Sequence, residues 1–156
     1  MFCIEKGQDT ELSKELICSL GLEDNVIWLQ PMNRKKLMEF YAAAHVCFDQ
    51  FSRGCLALCA VESMACGTTT VTYLGDHSKS VPFYPVLPPV FNSKNPENIS
   101  EFLIRVLNDE SFRKERGIDS YKWVREQCSS NRFNESFKTM VNMVLNDKDA
   151  EESGSL

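Results

Sequence analysis

His45-Val46-Cys47-Phe48-Asp49-Gln50-Phe51-Ser52-Arg53-Gly54, followed by the run from Leu58 through Ala65-Cys66-Gly67 to Thr69-Thr70-Val71-Thr72-Tyr73, decides the architecture. Val46, Cys47 and Phe48 after His45, three apolar residues with no polar alternation, suit a short strand buried on both faces. The polar stretch from Asp49 to Gly54 leaves that strand as a loop. Leu58, Val61, Met64 and Ala65 then recur at helical spacing, and Gly67 closes the helix. The β-branched residues after it make the next strand. Strand, helix, strand with a short final turn is a parallel unit, because a hairpin would need no helix between its strands.

The same alternation extends upstream. Phe2-Cys3-Ile4-Glu5 reads as a strand ended by Gly7, followed by a helix with Leu12, Leu16 and Leu20 at spacing four and Gly21 at its end. Val26-Ile27-Trp28-Leu29 is a continuous apolar run stopped at Pro31, again a strand expected to be buried on both faces. Asn33 caps a helix carrying Leu37, Tyr41 and Ala44. Downstream, Gly75 to Pro89 holds four prolines and reads as irregular, with room for one short strand. Asn95-Pro96 starts the clearest helix, with the stripe Ile99, Phe102, Leu103, Val106 and Leu107. Residues 111–127 read as helical with a break near Gly117. A last helix carries Phe133, Phe137, Met140, Val141, Val144 and Leu145. The predicted class is therefore α/β: a Rossmann-like parallel sheet with flanking helices and a helical C-terminal end. One domain over residues 1–147 and a disordered acidic tail over 148–156 complete the expected layout.

Composition narrows the function. The chain has 156 residues, 43% hydrophobic and 25% charged, so it is neither disordered nor fibrous. Its 22 acidic residues outnumber 17 basic ones, a net charge of −5, which provides no basic field for a nucleic acid. No apolar run approaches a transmembrane length, and Glu5 and Lys6 precede any signal-like run. The seven cysteines are odd in number and contain no CxxC pair, and no histidine stands beside Cys55, Cys59 and Cys66 to complete a metal site. They read as reduced, mostly buried thiols in a cytoplasmic protein.

Four phrases in order carry a resemblance: Gly7; Leu20-Gly21-Leu22-Glu23-Asp24-Asn25-Val26-Ile27-Trp28-Leu29; Tyr41-Ala42-Ala43-Ala44-His45-Val46; and Val61-Glu62-Ser63-Met64-Ala65-Cys66-Gly67. Over residues 4 to 145 the chain resembles the C-terminal, donor-binding half of a GT-B glycosyltransferase of the retaining family 4, or group 1. The resemblance implies a nucleotide-diphosphate sugar as donor substrate, no metal and no cofactor. It also implies a separate N-terminal domain, in cis or in trans, that binds the acceptor. The chain then starts at the second strand of its half, without the first βα unit and its diphosphate-gripping cations, and would be inactive alone. The complete enzyme would work in the cytoplasm, with the cytoplasmic face of a membrane as an option.

The family's signature is a Glu-x7-Glu pair whose second member corresponds to Glu62. A carboxylate with two acceptor oxygens can bind both hydroxyls of a ribose. Glu62 also interrupts an otherwise apolar stretch, where a carboxylate needs a partner. The first Glu should stand eight residues earlier, and Gly54 is there instead. A subgroup with Asp-Gln after the strand shares that glycine, so Asp49, Gln50 and the loop backbone become candidates for donor contacts. For Asp49 a loop-capping carboxylate is the competing reading. Gly7 matches a glycine where backbone approaches the donor, or is simply a turn. Leu29 and Gln30 match the segment whose main chain reads the base. His77 reads as a surface residue. Rival functions are a donor-site subunit paired with a separate acceptor chain, a non-catalytic interaction protein, and a sugar-nucleotide epimerase.

Overall fold

The computed structural model describes residues 1–75 and 86–153, with backbone alone at 140 and from 143 onward. Two compact units emerge, Met1–Leu37 and Met38–Leu156.

In the first unit, β1 (Phe2–Ile4) and β2 (Ile27–Leu29) pair in parallel, with Phe2 opposite Ile27, Cys3 opposite Trp28 and Ile4 opposite Leu29. Helix α1 (Thr10–Ser19) connects them through a single 3₁₀ turn at Glu23–Asn25. Lys14 of α1 lies 5.7 Å from the Trp28 ring centre and ion-pairs with Glu5. The helix therefore covers the Cys3–Trp28 side of the strands with Lys14 and its half-buried neighbours Ser13 and Ile17. This corrects the sequence expectation for the leucine row: Leu12, Leu16 and Leu20 face outward, Leu12 at 64% exposure. A long lysine stem over a tryptophan competes well with leucine for that position. The expected two-sided burial of β2 also fails, with Ile27 52% exposed, because no element of this unit covers the second face.

Helix α2 (Arg34–Ala43) carries the chain onward, and Asn33 caps it as expected, its Oδ1 accepting from Lys36 N–H at 3.0 Å. The second unit holds three parallel strands in the order β3 (Val46–Phe48), β4 (Thr69–Thr72), β5 (Phe91–Asn92). Central β4 is buried at every residue. Its hydroxyls are largely answered inside the protein: Thr70 Oγ1 meets Ser63 Oγ at 2.8 Å, and Ser63 belongs to α3 (Leu58–Ala65). Residues 76–85, including His77 and most of the proline-rich segment, lie outside the described residues. The short strand allowed for between Gly75 and Pro89 falls mostly on those residues; β5 lies beyond that segment and was not read from the sequence.

Helix α4 (Pro96–Asn108) starts where the Asn-Pro signal places it, with Asn95 Oδ1 accepting from Asn98 N–H at 2.8 Å. Most of its expected stripe packs on β4 and β5: Phe102 and Val106 join Val71 in the core with Ile99 against them, and Phe91 stacks on Phe102 with ring centres 4.1 Å apart, whereas Leu107 is exposed because it lies past the edge of the buried face. Helix α5 (Glu110–Gln127) runs unbroken through Gly117, contrary to the expected interruption. A Cβ there would come within 2.2 Å of the Gly67 carbonyl, so the glycine permits backbone to touch backbone. Helix α6 (Ser130–Ser153) continues past Asp147, where apolar periodicity stops. The tail expected to be disordered is therefore helical over 148–153, and 154–156 lie outside the described residues.

Candidate functional site

Ligands of open parallel sheets bind beyond the carboxyl ends of the strands. In the first unit that end holds Gly7, Leu29 and Gln30. Gly7 has φ +125° just after β1, and its carbonyl accepts from Thr10 Oγ1 at 3.0 Å, so it is at least a turn glycine with open space around it. The Leu29 carbonyl accepts from Glu5 N–H at 2.8 Å. Gln30 Nε2 donates to Glu5 Oε2 at 2.5 Å, while Lys14 holds the other oxygen. Lys14, and secondarily Gln30, keep the Glu5 carboxyl below its ordinary range.

In the second unit Asp49, Gln50 and Gly54 share the loop between β3 and α3. Asp49 Oδ2 accepts from Ala57 N–H at 3.2 Å and from Thr72 Oγ1 at 3.1 Å, and Oδ1 accepts from Cys59 Sγ at 2.6 Å. This is the loop-capping arrangement. Gln50 Nε2 donates to the carbonyls of Cys55 (2.5 Å) and Tyr73 (2.7 Å), and its Oε1 accepts from Arg53 N–H at 2.7 Å. Both side chains thus turn their hydrogen bonds inward and shape the loop. The donors Cys59 and Thr72 were not singled out from the sequence, where the cysteines read only as small hydrophobes.

Gly54 and Gly75 both have left-handed backbones, φ +68° and +64°. They face each other so closely that a Cβ on Gly54 would stand 3.4 Å from the Gly75 Cα. The loops leaving β3 and β4 therefore meet backbone to backbone. A side chain at 54 would have to fit both that neighbour and a strained φ.

Glu62 lies on α3, half-buried, one turn after Cys59. The surroundings are protic and poorly solvated. Burial, then Asp49, pushes the Cys59 thiol up to about 12. Burial also raises Cys47 and, with the neighbouring Cys47, Cys59, Glu62 and Asp49, raises Tyr41. These thiols are protonated donors at neutral pH, not nucleophiles. All seven cysteines are free, and no group of three metal-ligating side chains occurs among the described residues. No helix among them is long and apolar enough to cross a membrane.

The family model described as "Glycosyl transferases group 1" matches residues 4–123. Over 66 residues the chain is 38% identical to the D-inositol 3-phosphate glycosyltransferase of Acidothermus cellulolyticus, a stretch that is 42% of this chain and 15% of that protein. Among solved structures, sucrose-phosphate synthase from Thermosynechococcus elongatus superposes with a TM-score of 0.68 at 16% identity, over 94% of this chain and 38% of that one. That likeness is one of fold. The chain thus spans well under half the length of either relative.

Proposed function

We propose, for a chain that belongs to the group 1 glycosyl transferases, the role of nucleotide-sugar half in a GT-B enzyme. In the complete enzyme the bond from the sugar's anomeric carbon to the diphosphate breaks and a bond to an acceptor oxygen forms, with retention. The acceptor's proton leaves with the diphosphate or to solvent. An acceptor-binding domain, in cis or in trans, supplies the other wall of the cleft, and this chain alone is inactive. A cytoplasmic location belongs to the same reading.

Glu62 carries the proposal. It is the one carboxylate of α3, inside the phrase Glu-Ser-Met-Ala-Cys-Gly, on the element that follows the β3 loop. Its two oxygens suit a vicinal diol, each hydroxyl donating one charge-assisted bond. The backbone around Gly54, held in place by Asp49 and Gln50, lies toward the sugar.

The test is calorimetric titration with uridine, guanosine and adenosine diphosphates. Glu62→Gln should weaken whichever nucleotide binds by about 1–3 kcal/mol with the fold intact. Equal affinities for the two proteins would remove Glu62 from the site. One observation favours a second reading: Gly54 occupies the place of the signature's first Glu. A subunit that binds sugar nucleotides without transferring the sugar would bind normally and show no turnover when paired with an acceptor domain.

A further inference from the structure

We propose that Asp49 is a positioning residue for the donor site, with Cys59 as its thiol partner, an inference that rests on the donor-binding reading above. Three donors from three places converge on this carboxylate: Ala57 N–H at the entrance to α3, Cys59 Sγ in the first turn of α3, and Thr72 Oγ1 on β4. Asp49 itself follows β3 directly, and its own N–H donates to the Val71 carbonyl at 3.0 Å. One side chain thereby fixes β3, β4 and the start of α3 relative to each other.

The chemistry explains why the group is an aspartate. An ionised carboxylate only accepts, and every neighbour that reaches it can donate. Ala57 N–H is among those that a helix start leaves without an intrahelical acceptor, so Asp49 satisfies it from outside. The thiol remains protonated near neutral pH, because burial and the carboxylate both oppose its ionisation, so the third donor persists under working conditions. An asparagine in the same place must turn either its NH₂ toward one set of donors or rotate away from them. The geometric consequence falls on Glu62, which stands on the same helix three residues beyond Cys59. Release of the carboxylate frees the first turn of α3 and the loop bearing Gly54 together, and with them the direction in which Glu62 points.

The experiment combines amide hydrogen exchange over residues 50–62 with titration of the same three nucleoside diphosphates, on the 156-residue chain and its variants. In Asp49→Asn, exchange at Ala57 and along the loop should speed up about tenfold, and the nucleotide Kd should rise about tenfold, the weight of one charge-assisted hydrogen bond. Cys59→Ala should move both readouts in the same direction by a smaller factor. Cys59→Ser, which restores a hydroxyl donor at that point, should return both toward wild type. The cysteine pair keeps the test decisive should Asp49→Asn fail to fold. Unchanged exchange in Cys59→Ala, or a serine no better than alanine, overturns the clamp. Faster exchange with unchanged affinity overturns the positioning role and leaves a purely structural carboxylate. A wild-type chain that binds none of the three nucleotides overturns the donor-binding reading itself, and the positioning role with it.

Discussion

Gly54 is where sequence and backbone make opposite demands. The signature of the family wants a glutamate there, but the backbone is left-handed and pressed against Gly75. Any L-residue in that conformation costs about 1–2 kcal/mol before its side chain is placed. Gly54→Glu is therefore expected to lower the melting temperature and to leave nucleotide binding no stronger than wild type. A calorimetric scan and a titration check both halves, and a Glu variant that is as stable and binds more tightly would show that the loop can re-form around the carboxylate. Glu62 was singled out from its phrase alone, and the proposal of its role rests there. The company of Asp49 was not, because Thr72 and Ala57 reach it across 23 and 8 residues of chain, and only folding brings them together. Two readings of Asp49 were open in the sequence, a donor contact and a loop cap; its three donors come from the loop end, α3 and β4.

At the scale of elements, both kinds of helix were located by sequence, but only those with a strong local signal were read without a false break. Helix α4 has its Asn-Pro start and one apolar stripe, so its boundary and the centre of its buried face, Phe102 and Val106, follow from pattern, while Leu107 of that stripe is exposed. Helix α5 has no such stripe, and its buried Gly117, Ser120 and Trp123 are understandable only from what they touch. Glycine is a poor helix former, which is why it reads as a break; here tertiary packing outweighs that propensity. Gly117→Ala should destabilise the protein by about 3 kcal/mol despite alanine's better propensity, since its Cβ meets a backbone carbonyl that cannot rotate away. Urea unfolding measures this, and a stabilised variant would contradict the contact. The cap at the start of α5 gives a pH prediction. Asp109 Oδ1 accepts from Phe112 N–H at 2.9 Å, and that bond, then Ser111, lowers its pKa from 3.8. A lowered folded-state pKa means a contribution present above the ordinary aspartate range and lost as pH falls through the shifted value. Asp109→Asn keeps a good cap and should match wild type near pH 7, but lose less stability than wild type as pH falls below the ordinary aspartate range. Parallel acid titrations of the two proteins would show curves that diverge only at the acid end.

For the molecule as a whole, the parallel α/β plan followed from alternation, whereas the exposed surfaces did not. Periodicity reports that an apolar face exists and is silent about whether anything lies against it. The leucine row of α1 and the Phe133–Phe137 pair of α6, Phe133 at 69% exposure, are both open in this chain. Open apolar faces of this kind promote association. Light scattering should show a mean mass that climbs with concentration, and a strict monomer throughout would mean that these faces are individually too small to matter. The contact between Gly67 and Gly117 bears on motion. With no side chain between the two backbones there is no soft layer to absorb a displacement, so α5 and the turn that ends α3 are geared together. The helix that carries Glu62 is then joined just past its far end to a second helix by backbone alone, and neither backbone can move toward the other at that point.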